Sequence, residues 1–483
     1  MTSLKKNMIY NIAYQLLVII LPLITAPYVS RVLGVSGLGT YSYIYSIVTY
    51  FGLFGSLGIA NQGNRSIALT KINRQKASQV FSNIYIIQLI TTTIAFLSYI
   101  FFVTFLFSGD KTIAYIQSIM LLSYVLDITW VFFGLEQFSL TVIRNSVIKL
   151  ATVIAIFAFV RDRHDVWVYA LIMSLGMLLS QAYLWFQLHR FVDICKPVWN
   201  EVIANIKPIL LLFIPAIAYS VYKILDKIML GGIDSMEQVG LFDSAEKIIG
   251  IPSSFITAFG TVMMPRITSM LSTKDVKNIA SLNAVSTRYF TIIVVGSAFG
   301  LAGVSDVLAP VFFGDEFRAS APVIAGLGFS LIFVTWSNIM RTQYLIPNRL
   351  DKPYVISTIC GAAANIIVNL VLIPYFGALG AMAGTLVAEF TVFLVQLIFV
   401  RVEFPILEYL QSTVLLFPLG MMMCAVVYIV GRYGDVSLMT LVLQILLGGI
   451  LYLFGVIIYL WIVKDVYLMN VIKNISLIKD NRH

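Results

Sequence analysis

Apolar runs of roughly 20 residues recur along this 483-residue chain, each closed by charge, Gly or Pro. They fall at about 8–30, 38–62, 80–107, 112–135, 139–160, 166–188, 208–232, 239–264, 284–311, 320–341, 354–375, 378–400, 409–430 and 437–463. A run of that length crosses the ~30 Å hydrocarbon core as a helix. Inside lipid each backbone N–H and C=O must be bonded within its own segment, so helices are what such runs can become. The chain is 59% hydrophobic and 11% charged, where soluble domains average about 45–50% and 25%. The expected fold is therefore an all-α polytopic membrane protein of about fourteen transmembrane helices.

The formal charge is +9. Most Lys and Arg lie in short loops between the runs, so the basic balance is a topology signal and nucleic-acid binding is excluded. With the N-terminus in the cytoplasm, the inner loops hold 22 basic residues and the outer loops 6. Both termini are thus expected in the cytoplasm, with the protein crossing the membrane many times. Lys5 and Lys6 precede an apolar run reaching Val29, which reads as an uncleaved first span.

Chemistry-bearing motifs are missing. Cys195, Cys360 and Cys424 have no disulfide or metal spacing, and His164, His189 and His483 are dispersed. No phosphate-cradling Gly-Lys-Ser/Thr loop occurs. No loop is long enough for a catalytic domain. These features point to a transporter without cofactors, driven by a proton or sodium gradient or by the substrate gradient itself.

The halves echo one another. Pro22 precedes Val32-Leu-Gly-Val-Ser-Gly-Leu-Gly39, and Pro215 precedes Met229-Leu-Gly-Gly and Val239-Gly240. Thr129-Trp130 has a counterpart in Thr335-Trp336. This suggests two six-helix lobes with pseudo-two-fold symmetry, residues 1–195 and 196–402. Two further helices over 403–463 and a cytoplasmic tail over 464–483 follow.

The candidate site is a set of ionisable residues inside apolar runs, where each costs about 2.5–3.5 kcal/mol at the bilayer centre. Lys223, Asp226 and Lys227 lie on the seventh run, and Asp243, Glu246 and Lys247 on the eighth. Helical rise puts the two sets at similar depth. They form a structural ion-pair network, or else lysines in a wet cavity meet phosphate while the acids tune or gate them. Asp127 and Lys149 could pair at one depth, or Lys149 could be a second cavity cation. Glu389, Asn365 and Asn369 read as an interhelical hydrogen-bond set, with Glu389 alternatively a proton or cation acceptor. Arg65 reads as an inner-interface anchor or an entry contact. Gly52, Ser56, Ala60, Gly380 and Gly384 fit close helix approach.

Several stretches resemble one family. They are Arg31-Val-Leu-Gly-Val-Ser-Gly-Leu-Gly-Thr-Tyr41, Gly58-Ile-Ala-Asn-Gln-Gly-Asn-Arg65, Asp226-Lys-Ile-Met-Leu-Gly231, Pro265-Arg266, Phe312-Phe-Gly-Asp-Glu-Phe317, Tyr344-Leu-Ile-Pro347, Asn365 through Asn369, and Ile373-Pro-Tyr-Phe-Gly-Ala-Leu-Gly-Ala381. Spread in order over most of the chain, they resemble the Wzx-type oligosaccharide flippases of the multidrug/oligosaccharidyl-lipid/polysaccharide exporter superfamily. The resemblance implies a central cavity, alternating access, and undecaprenyl-pyrophosphate-linked oligosaccharide as substrate, moved from inner to outer leaflet for capsule, O-antigen or related polymers. It implies a polysaccharide polymerase and glycosyltransferases as partners beside the phospholipid bilayer. Ala245-Glu246-Lys247 matches an Ala-Asp-Arg of lipid II flippases, which ranks Lys247 first. Those flippases carry an arginine in the first span that is missing here, which weighs against a peptidoglycan-precursor role. The alternatives are a lipid II flippase and a cation-coupled multidrug exporter, the latter needing a mostly acidic cavity.

Overall fold

Gly34 sets the first architectural feature. The computed structural model describes residues 2–273 and 275–465. Within it the stretch α1, Thr2–Ser56, is two helical arms that meet at Gly34, whose φ of 70° and ψ of 175° are not helical. An L side chain is strained at that φ, and glycine is not. The first two predicted spans correspond to these two arms. The described residues hold 12 helices long and apolar enough to cross a membrane, rather than fourteen. One difference is that the two arms of α1 count once. The other is the seventh predicted span, part of whose side chains lie outside the described set; as backbone it is a helix of 35 residues, about 52 Å long.

The chain forms two compact units, one ending at Asp243 and the other beginning at Ser244. After α1, the first unit contains α2 (Ile59–Thr70), α3 (Arg74–Phe101, extended by a π turn), α4 (Lys111–Val125), α5 (Thr129–Gly134), α6 (Phe138–Phe159), α7 (Val166–Leu188) and α8 (Trp199–Ile233), with the start of α9 (Met236–Ser272). Its core joins Ile67, Phe81, Ile84, Trp130, Phe132, Leu184 and Ile209, from α2, α3, α5, α7 and α8. Large apolar residues on the opposite faces, among them Leu97, Phe105, Ile154 and Phe186, are exposed. Apolar surface on that scale needs lipid, not water, around it. The short helix α2 is set off from α1 by Leu57 at φ 47°.

The second unit adds α10 (Val276–Phe313), α11 (Ala321–Met340, extended by a π turn), α12 (Asp351–Phe376), α13 (Ala378–Val400), α14 (Ile406–Gln411), α15 (Leu416–Tyr433) and α16 (Leu438–Ile462). α15 and α16 pack on α10 through Val295, Val307, Met423, Val427, Tyr452 and Val456. α12 and α13 meet at glycine: a Cβ on Gly380 would lie 2.6 Å from the Leu372 backbone, and one on Gly384 1.9 Å from Asn369 Oδ1. No strand occurs among the described residues.

The two Thr-Trp pairs play parallel parts. Trp130 Nε1 donates to Gln88 Oε1 of α3 at 3.0 Å, and Trp336 Nε1 donates to Thr291 Oγ1 of α10 at 3.2 Å. In each unit an indole anchors to a polar side chain of the preceding long helix, satisfying a donor that would otherwise be stranded in the membrane.

Candidate functional site

Helical rise places Lys227 six residues before the end of α8 and Asp243 seven residues into α9. Both are therefore about 9–10 Å from the turn between the helices. The structure joins them: Lys227 Nζ donates to Asp243 Oδ1 at 3.2 Å, with side chains 15% and 8% exposed. For these two residues the ion pair among the sequence alternatives is the observed one. Asp226, beside Lys227, is buried.

Three glycines bring the second arm of α1 against this pair. A Cβ on Gly39 would lie 1.7 Å from the Met236 carbonyl oxygen, and one on Gly240 would lie 2.1 Å from that of Val35. Gly231 meets the ring of Tyr43, its Cβ position 2.2 Å from Cδ2. Two stretches far apart in sequence, around Gly39 and from Asp226 to Gly231, are thereby neighbours. Tyr41 packs on Tyr45 at 5.7 Å and on Tyr169 at 4.6 Å between ring centroids. All three phenols lie within electrostatic range of Asp243, and Tyr45 also of Lys227. Farther along α1, Tyr50 Oη donates to the Ser220 carbonyl of α8 at 3.2 Å. The pair is held in a phenol-lined, nearly closed setting within the first unit.

In the second unit, Glu246 is half-buried and Lys247 exposed. Lys247 is eleven residues into α9, about 16 Å from its start. An ammonium exposed that far along an apolar helix needs water or a polar partner around it, because lipid would charge the full penalty of desolvation. The Lys223 side chain lies outside the described residues.

The remaining predicted residues separate. The Asp127 carboxylate accepts the Thr129 backbone N–H at 2.9 Å, in the break between α4 and α5. Through that bond Asp127 fixes the local turn, while Lys149 is half-buried on α6. Arg65 is exposed on α2, whose neighbour Gln62 donates to Asn205 Oδ1 of α8 at 3.2 Å. Asn365, Asn369 and Glu389 are buried between α12 and α13. Asn369 Nδ2 donates to Asn365 Oδ1 at 3.3 Å along α12.

Two further buried charges lie outside the candidate set. Arg144 is 5% exposed on α6; it donates to Asn145 Oδ1 at 2.8 Å and to Gln181 Oε1 of α7 at 3.4 Å. Its position inside the 139–160 run was the available signal. Asp465, expected in the tail, receives Arg288 Nη1 at 2.6 Å and Tyr289 Oη at 3.0 Å. Nothing in the local sequence announces that contact.

Residues 4–271 match the family described as Polysaccharide biosynthesis protein. A Shigella dysenteriae protein named as an O-antigen transporter is 24% identical over 400 residues, covering 82% of this chain and 99% of the relative. Among solved structures, the lipid II flippase MurJ in an inward closed conformation is similar at TM-score 0.75 and 16% identity, covering 95% of this chain and all of that one. An outward-facing multidrug resistance MATE family transporter is similar at TM-score 0.53 and 14% identity, over 83% of this chain and 94% of that one. At these identities the structural likeness is one of fold.

Proposed function

The chain belongs to the polysaccharide biosynthesis protein family, and from that premise we propose that it is a flippase for lipid-linked oligosaccharide. The proposed cargo is an undecaprenyl-pyrophosphate-linked repeat unit carried from the inner to the outer leaflet by alternating access. The relatives with which it aligns are named as transporters and flippases, and it is a transporter, not an enzyme. The physical task fits a multi-pass membrane protein. Sugar and diphosphate cannot shed their water into hydrocarbon without a large penalty, while the lipid tail can remain in the bilayer.

The observation that best supports this reading is Lys247, a cation exposed deep along an apolar helix. A diphosphate is the ligand that such an ammonium would meet with a charge-assisted hydrogen bond. Lys223, Lys149 and Arg65 are proposed as further contacts along the route. Asp226, Asp243, Glu246, Asp127, Glu389 and Asn365 are proposed to hold or gate them, with a proton or sodium gradient as the drive. A surface-polysaccharide polymerase and glycosyltransferases are the proposed partners.

The test is a deletion strain. Without this protein, lipid-linked repeat units should accumulate on the cytoplasmic side and surface polymer should disappear, both restored by the intact gene. Normal surface polymer in the deletion strain, with no accumulated lipid-linked sugar, would overturn the proposal.

A further inference from the structure

The first unit has a second polar feature, remote in sequence from the α8–α9 ion pair. A cavity of about 340 Å³ is walled by Thr40 of α1, Asp110 and Thr112 at the start of α4, and Arg163, His164 and Trp167 at the start of α7. We propose that this cavity binds sugar units of a glycan. Placed by the distribution of basic residues, it opens at the extracytoplasmic face. The proposal rests on the flippase reading for the source of its ligand, though not for its chemistry.

Three properties select a sugar. The volume is at the lower end of small-ligand sites, which run to about 300–1,000 Å³, and suits one or two sugar rings. The wall combines an exposed indole with groups of every hydrogen-bonding kind. A pyranose has an apolar C–H face that lies on an aromatic ring and a rim of hydroxyls that both donate and accept. Trp167 offers the ring, Asp110 accepts, Arg163 donates, and Thr40 and Thr112 do both. The mixed charge is the third property. Asp110 and Arg163 set one negative and one positive charge in the wall, so net charge favours neither a free anion nor a free cation, while a neutral polyol can bond to both.

The wall is also built in advance. Asp110 Oδ1 accepts the Ile113 N–H at 3.1 Å, which orients its carboxylate at the head of α4. Asp165 Oδ2 accepts the backbone N–H groups of Arg161 and Asp162 at 2.8 and 2.9 Å, and Asp162 Oδ1 accepts that of His164 at 3.2 Å. Tyr28 Oη donates to the Val160 carbonyl at 2.7 Å, tying this loop to α1. Little ordering remains to oppose binding, which favours affinity for a small ligand.

The experiment uses the whole protein in nanodiscs and the water-soluble oligosaccharide released by mild acid from the host's own lipid-linked repeat unit. Saturation-transfer NMR and calorimetry should show saturable binding. Trp167→Ala and Asp110→Asn should each weaken it at least tenfold, and Trp167→Phe should retain most of it. Inorganic phosphate at equal concentration should not compete. No binding to the intact protein, undiminished binding to Trp167→Ala, or displacement by phosphate would overturn the proposal and leave Trp167 an interface anchor. Complementation of the deletion strain is scored separately. Restored export with no glycan binding rejects the cavity and keeps the flippase reading; glycan binding without restored export does the reverse.

Discussion

Lys227 and Asp243 face one another at 3.2 Å across the turn between α8 and α9, with little of either side chain reached by solvent. Each is one helix-end away from the other, and together they cancel two charges that neither helix could carry alone into the membrane. The contact gives the first unit a charged latch between α8, α9 and the phenols of α1.

Removing one partner of that latch breaks an ion pair in a nearly closed setting. Asp243→Asn should lower stability by about 3 kcal/mol, within the range for breaking a buried pair. The melting temperature of purified protein in detergent would report it. The exchange Lys227→Asp with Asp243→Lys should recover part of the loss. Equal stability of Asp243→Asn and the native protein would show the pair to be energetically idle.

Lys247 should behave differently. Lys247→Ala should abolish surface polysaccharide while leaving the amount of protein in the membrane unchanged, and Lys247→Arg should preserve export, since the charge is kept. Immunoblotting of membranes beside surface-polymer staining separates the two effects. Full export by Lys247→Ala would remove this residue from the site.

Gly39 is a packing prediction. A Cβ there would lie 1.7 Å from the Met236 carbonyl oxygen, backbone that cannot swing aside. Gly39→Ala should cost at least about 1–3 kcal/mol, as overpacking does, and Gly39→Val should cost more. The readout is the yield of monodisperse protein on size-exclusion chromatography. By contrast Gly449, whose added Cβ meets nothing within 4 Å, should tolerate alanine.

Asp465 joins the end of α16 to α10 through Arg288 and Tyr289, its own side chain 1% exposed and that of Arg288 19%. Asp465→Asn should loosen this end of the helix and destabilise the protein by about 3 kcal/mol. Hydrogen exchange over the last turn of α16 should rise. Unchanged protection there would mean that apolar contacts alone hold the helix.

The expectations that succeeded and those that failed differ in kind. Gly380 and Gly384 were recognisable from spacing, because small residues at helical intervals have little use except close approach. The echo of Thr129-Trp130 in Thr335-Trp336 led to matching indole anchors. For Asp127, depth along a span does not reveal that a carboxylate beside a helix break also bonds the local backbone. Arg144 lies inside the 139–160 run, and only the fold brings Gln181 of α7 to receive it. Gly34 falls in the gap between the first two predicted spans, and its non-helical backbone is what separates them.

Sequence alone settled the solvent and the element type. Long apolar runs can only be buried in lipid, and lipid obliges each run to bond its own backbone, so helices followed without reference to any neighbour. Tertiary structure decided what each ionisable residue does. Whether Lys227 is paired, Lys247 exposed or Arg144 bonded across helices depends on groups brought from elsewhere in the chain. The free energy of a charge in the membrane is set by that surrounding company, not by the residue's own place in the sequence.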